Sequence, residues 1–316
     1  MNGFQLTREN YRSVAKTIAP LIVLACVFAL AGCGGDDSAV SADSLANAKK
    51  TWNGANYVAM GDSYTAAPRI PKQTTKQTPA ACGQSESNYP HDIQKMIESK
   101  NFSDRSCSSA TVTNLYTPQR VRGGSNYPQG IDLKANTQLV TLGIGGNDIP
   151  LTQLLSYCIK EASPEAPCDP ASAVQQAGAS FEDAIVALER IFPDVFSGIK
   201  QRAPKAVVVL VGYPQILPEG DESCVAKTHI SVEGMSYVNE QVQKLNSLLK
   251  SQATKNAQHY VDTYGPSKGH DACQEPSKRW VEPIDAQGRA DPFHPNKVGQ
   301  TNFALLVMAE LAKIKR

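Results

Sequence analysis

Three short stretches carry residue types that could do chemistry together. Ser63 ends Gly61-Asp62-Ser63, Asn147 lies in Gly145-Gly146-Asn147-Asp148, and His294 stands in Asp291-Pro292-Phe293-His294-Pro295. A serine hydroxyl is a weak nucleophile until a base, usually a histidine oriented by a third group, takes its proton. Among five histidines, His294 has Asp291 three residues before it and prolines on both sides of the turn. At that spacing a carboxylate can reach back to Nδ1 and leave Nε2 free for the serine proton. Acyl transfer also builds up an oxyanion, which needs preorganised donors. An Asn amide on a Gly-rich turn suits that task. His91, His229, His259 and His270 are scattered without metal-ligand spacing and read as structural or surface residues.

These residues need elements to hold them on one edge. Tyr57–Met60 is an apolar run that stops at Gly61, so Ser63 is expected just past the carboxyl end of a buried strand, where open α/β sheets place their sites. Gln138–Leu142 is a second buried strand, running into Gly143 and Asn147. Ala206–Val211 is the strongest strand, and His259–Asp262 a short last one, with another short strand expected just before Cys107. Helical spacing covers Tyr89–Ser99, the stretch from Asp148 through Leu154, Ala173–Gln201 with a break or kink at Pro193, and Val232–Ala257. Pro295 is read as the first residue of a terminal helix. Strands alternating with helices predict a five-stranded parallel sheet covered on both faces, an α/β/α sandwich. The stretches 65–88, 157–170, 214–230 and 263–290 read as loops. Asp148 reads as a helix cap, Asp62 as a group satisfying the backbone beneath Ser63, and Tyr64 as a residue bordering the site or packing beside it.

The three blocks, in this order and strand context, resemble those of the SGNH hydrolases, the GDSL-like lipases and esterases, over about residues 51–316. Val211-Gly212-Tyr213-Pro214 with Leu217-Pro218 resembles the actinobacterial secreted lipase branch. The resemblance implies a flavodoxin-like fold and an ester hydrolase with Ser63 as nucleophile, His294 as base and then acid, and Asp291 as orienting carboxylate. The Ser63 N–H and the Asn147 side chain would line the oxyanion hole. The family's second block usually supplies a glycine. Here Cys107-Ser108-Ser109-Ala110 has none, and Ser109 is the residue that would donate in its place. The G-x-S-x-G elbow of α/β-hydrolases is absent around Ser63.

The N-terminal stretch is set apart from the fold. Arg8, Arg12 and Lys16 precede an apolar run, Ile18–Ala31, too short for a comfortable membrane span and ending in Leu30-Ala31-Gly32-Cys33. Those last residues resemble a bacterial lipobox, which implies a signal peptide over 1–32, a lipid on Cys33, and a flexible tether over 33–50 before a hydrolase domain at 51–316. The product would be a lipid-anchored protein on the extracytoplasmic face of the membrane. Six cysteines remain after Cys26 and Cys33. An even set in an exported chain predicts disulfides. Six allow fifteen pairings; neighbour pairs Cys82–Cys107, Cys158–Cys168 and Cys224–Cys273 are favoured because they brace separate loops without crossing strands, and the resembled lipase branch shares them. No Cys-x-x-Cys points to zinc, and a net charge of +1 gives no electrostatic footprint for nucleic acid.

The reading is a monomeric serine esterase or lipase needing no metal or cofactor. The same site with an alcohol acceptor would make an acyltransferase. A binding lipoprotein with a degenerate site is the alternative outside catalysis.

Overall fold

The computed structural model describes residues 40–176 and 178–315, all within one compact unit, Ser38–Arg316. The expected signal peptide, the Cys33 lipidation site and residues 34–39 lie outside the described residues.

The chain begins with α1 (Ala42–Trp52), β1 (Tyr57–Gly61), α2 (Ser63–Ala66), α3 (Tyr89–Met96) and β2 (Phe102–Asp104). A small hairpin of β3 (Gln119–Val121) and β4 (Gly124–Asn126) precedes β5 (Leu139–Gly143). Then come α4 (Leu151–Glu161), α5 (Pro170–Gln176), α6 (Phe181–Arg202) and β6 (Val207–Val211). The chain closes with α7 (Val225–Thr228), α8 (Val232–Lys255), β7 (His259–Val261) and α9 (Lys297–Lys313). Five strands form one parallel sheet in the order β2-β1-β5-β6-β7. The predicted sandwich and strand count hold.

The alternation of side chains along a strand explains why the strands are apolar throughout. Val58, Met60, Val140, Leu142, Val208 and Leu210 point to one face and pack with α4, α6 and α8. Tyr57, Ala59, Leu139, Val209 and Val211 point to the other and pack with α1, α3 and α9. Helix starts are set by local side chains. Asn88, Ser180, Ser231 and Asn296 each accept a backbone N–H from the first turn they precede.

Several sequence expectations are corrected. Residues 42–50 are helix, not tether. Ser41 caps α1, and Ala48 and Trp52 are fully buried. The Trp52 Nε1–H donates to the Leu311 carbonyl at 3.1 Å and the Asn47 amide to that of Ala312 at 2.8 Å. Leu45, Ala48 and Trp52 do recur at helical spacing, but three apolar residues in so polar a stretch are a faint signal. Pro193 does not break α6, because it lies on the exposed side of the helix, where water can serve the carbonyl left without a donor. The Ala173–Gln201 helix is instead two, parted near Gly178. Helix α4 runs on through Cys158 to Glu161, into the stretch read as loop. Pro295 precedes α9, whose cap is Asn296.

All three neighbour disulfides are present. No helix among the described residues is long and apolar enough to cross a membrane.

Candidate active site

The site lies at the carboxyl ends of β1 and β5. Gly61 makes the turn there possible. A Cβ on it would stand 2.2 Å from Thr65 Oγ1 and 2.5 Å from the Gly143 carbonyl oxygen. The chain then enters α2, with Asp62 as its cap and Ser63 as its first residue. At that position the Ser63 N–H has no intrahelical acceptor. Gln129 clasps the turn from the side, its Oε1 accepting the Gly61 N–H at 2.7 Å and its amide donating to the Gly61 carbonyl at 2.9 Å.

His294 arrives from the far end of the chain. Its Nε2 is 2.8 Å from Ser63 Oγ, and its Nδ1 is 2.8 Å from the Pro292 carbonyl oxygen. A carbonyl can only accept, so Nδ1 carries the proton of the neutral ring and Nε2 presents a lone pair to the serine hydroxyl. The imidazole is thus poised as a base. Partial burial pushes its pKa below the ordinary value, while the Pro292 hydrogen bond and the Asp291 charge push back, and Arg69 adds to the lowering.

Asp291 does not hydrogen-bond His294, contrary to what the resemblance implies. Its Oδ1 is paired with Arg69 Nε at 2.6 Å, and the Pro292 main chain holds Nδ1 instead. The physical reason is the path of the turn. Phe293 takes a left-handed conformation (φ 60°), which folds the Pro292 carbonyl back onto its own histidine. The loop is also laced to the preceding segment. The Phe293 N–H donates to the Glu282 carbonyl and the Glu282 N–H to the His294 carbonyl. Tyr64 donates its hydroxyl proton to the Phe293 carbonyl at 2.6 Å.

Asn147 lines the same cavity as Ser63 and His294, a pocket of about 190 Å³. Its amide donates to the Ala110 carbonyl at 2.9 Å, and its oxygen accepts from the Thr152 hydroxyl at 2.8 Å. These partners fix which end is nitrogen and leave one amide proton uncommitted. Ser109 does not line that cavity. It sits on an exposed turn between two anchored neighbours, Cys107 bonded to the Gly61 carbonyl and Ala110 to Asn147. Ser109 has φ 63°, the left-handed region that favours glycine. Leu151, Leu155 and Ile159, one face of α4, form an apolar wall of the cavity.

Beneath the serine turn lies a buried acid the sequence underrated. Asp62 accepts from the Tyr64 N–H at 2.9 Å and from the Tyr213 hydroxyl at 2.5 Å, and that hydroxyl accepts from the Gly146 N–H at 2.8 Å. The chain Asp62–Tyr213–Gly146 ties the serine turn to the Asn147 turn. Burial raises the Asp62 pKa to about 7 despite these hydrogen bonds. Asp148 does not cap a helix. Both its oxygens accept the Val112 N–H at 3.1 Å, and burial raises its pKa to about 6. The other histidines lie apart from the site. His91 meets Asn88, His259 meets Glu310, and His270 stacks on Trp280. Arg69 and Tyr213 were given no site role from sequence. Tyr213 sat in a quoted motif, but nothing in the local pattern around Arg69 marks it.

Comparisons with known proteins agree with this fold. The sequence model of the GDSL-like Lipase/Acylhydrolase family matches residues 59–301. Lipase 2 of Streptomyces coelicolor is 32% identical over 258 residues, covering 79% of this chain and 83% of that protein. An esterase of Streptomyces scabiei is 25% identical over 353 residues, with 99% of each chain covered. The fold is also that of the extracellular lipase from Streptomyces rimosus, with a TM-score of 0.65 at 20% identity over 81% of this chain and 99% of that one. The chain belongs to the GDSL-like lipase and acylhydrolase family and is a serine ester hydrolase.

Proposed function

We propose that the protein hydrolyses carboxylic esters of lipids or simple alcohols outside the cytoplasm, through a covalent acyl-enzyme on Ser63. The observation that carries this reading is the 2.8 Å contact between His294 Nε2 and Ser63 Oγ, with Nδ1 committed to a main-chain carbonyl. Ser63 Oγ attacks the ester carbonyl as His294 takes its proton. The oxyanion is met by the Ser63 N–H and the uncommitted Asn147 amide proton, without the expected Ser109 donor, which lies outside the cavity. His294 then gives its proton to the leaving alkoxide. Water, activated by the same imidazole, releases the acid. Asp291 has no place in this sequence as an orienter, so the reacting unit is a Ser–His pair held by the main chain.

An acyl substrate is supported by the apolar α4 wall beside the nucleophile. Work outside the cytoplasm is supported by three disulfides, which persist in oxidising compartments. Membrane attachment through a lipid on Cys33 rests on the lipobox-like Leu30-Ala31-Gly32-Cys33 alone. A fluorophosphonate probe tests the reading. It should label the purified chain once, at Ser63, and ester hydrolysis should disappear in step. Labelling elsewhere, or full activity after labelling of Ser63, would remove the nucleophile from the scheme.

A further inference from the structure

Arg69 is a cation with an unusual setting. It follows α2 in a turn where both Ala67 (φ 63°) and Arg69 itself (φ 65°) are left-handed, a conformation that L residues adopt at a penalty. The turn is braced by Gln73, whose amide donates to the Ile70 carbonyl at 2.8 Å. It is also packed against the histidine loop. Ala67, Ile70 and Ala290, each at most 1% exposed, form an apolar cluster of their own. Ala290 is the residue before Asp291. The buried trio therefore fixes the backbone of the Arg69 turn against the backbone that carries Asp291. An ion pair whose side chains are 63% and 31% exposed would contribute little to that placement by itself.

We propose that Arg69 is a positioning residue for the hydrolysis: by holding the Asp291 carboxylate, it keeps that carboxylate off His294 Nδ1 and leaves the imidazole to the Pro292 carbonyl. This rests on Ser63 and His294 being the reacting pair. The consequence is electrostatic. A free carboxylate beside the ring would stabilise the imidazolium, and the base would be blocked by a proton over a wider acid range. Paired with Arg69, the carboxylate has its charge offset and its Oδ1 engaged. The other groups near His294 do not supply this control. Asp62 lies beneath the serine turn and is tied to Tyr213, Tyr64 is committed to the Phe293 carbonyl, and the Glu282 carboxylate is paired with Arg279 and Arg289.

The test is the pH dependence of kcat/KM on a water-soluble ester, measured with the full chain and three variants. Arg69→Gln removes a cation and frees the carboxylate, so the acid limb should move up by roughly one pH unit. Asp291→Asn leaves Arg69 unpaired, so the limb should move down. The double variant should return towards the parent. A role in packing alone would not produce opposite shifts that cancel. Titration of the His294 ring by NMR in the same four proteins should show the same pattern. An unmoved limb in Arg69→Gln, or shifts of the same sign in both single variants, would overturn the proposal. Absence of ester hydrolysis in the parent would instead overturn the proposed function, and the NMR titration would still decide the role of Arg69.

Discussion

Tyr64 donates its hydroxyl proton to the Phe293 carbonyl at 2.6 Å while its ring lies 4.8 Å from that of His294. The residue next to Ser63 thus holds the loop that carries His294. Tyr64→Phe removes the hydrogen bond and keeps the ring. The expected result is a loss of about 0.5–1.5 kcal/mol in stability. A drop in kcat larger than any change in KM should accompany it, because the base is less well placed. Urea unfolding and steady-state kinetics on one ester check both.

In the proposed reaction Ser63 and His294, in contact at 2.8 Å, form one reacting unit, so their removals should not add. Ser63→Ala, His294→Ala and the double variant should each lower kcat on a short ester by a similar factor, on the order of 10⁴ or more. Circular dichroism and unfolding curves should show the fold kept in Ser63→Ala. Asp291→Asn, measured on the pH plateau, should lose less than about tenfold, far from the roughly 10⁴-fold loss that follows when a true orienting carboxylate is replaced.

The buried acid Asp62 predicts a pH-dependent stability. Burial raises its folded pKa from the ordinary 3.8 to about 7, so between those values the folded chain holds a proton that the unfolded chain has lost. Its contribution is complete below about pH 4 and falls as pH rises through about 7. Asp62→Asn carries no such proton. Its urea midpoint should therefore change less between pH 5 and pH 7.5 (on the order of those values) than the parent's, by the linkage relation. An equal change in both proteins would show that Asp62 is ionised throughout.

Trp52 tests where the folded unit starts. It is fully buried against α9, with its indole N–H on the Leu311 carbonyl. Trp52→Ala should destabilise the protein by about 3–5 kcal/mol. A chain in which residues 42–52 were a loose tether would show almost none of that.

What sequence could and could not reveal follows from the range of the signals. The sheet was readable because parallel strands buried on both faces are unbroken apolar runs, as Val207–Val211 is. Ser63, Asn147 and His294, which line one cavity, could be singled out because each sits in a short block with turn residues that fix it locally. Arg69 was not, because its partner Asp291 lies more than two hundred residues away and neither side of the pair marks the other. The expected contact of Asp291 with Nδ1 is not made, for a related reason. Spacing says that a carboxylate can reach Nδ1, but it does not carry the left-handed turn at Phe293 that lets a carbonyl arrive first. Helix α1 was missed because its burial depends on α9, at the opposite end of the chain.

The Pro292 carbonyl has an implication for inheritance. An orienter made of a side chain is one codon change from being lost. An orienter made of main chain is encoded by no single side chain, since every residue at that position brings the same oxygen. Drift at position 291 or 292 could then alter charge or stiffness around the histidine without deleting the group that aims it.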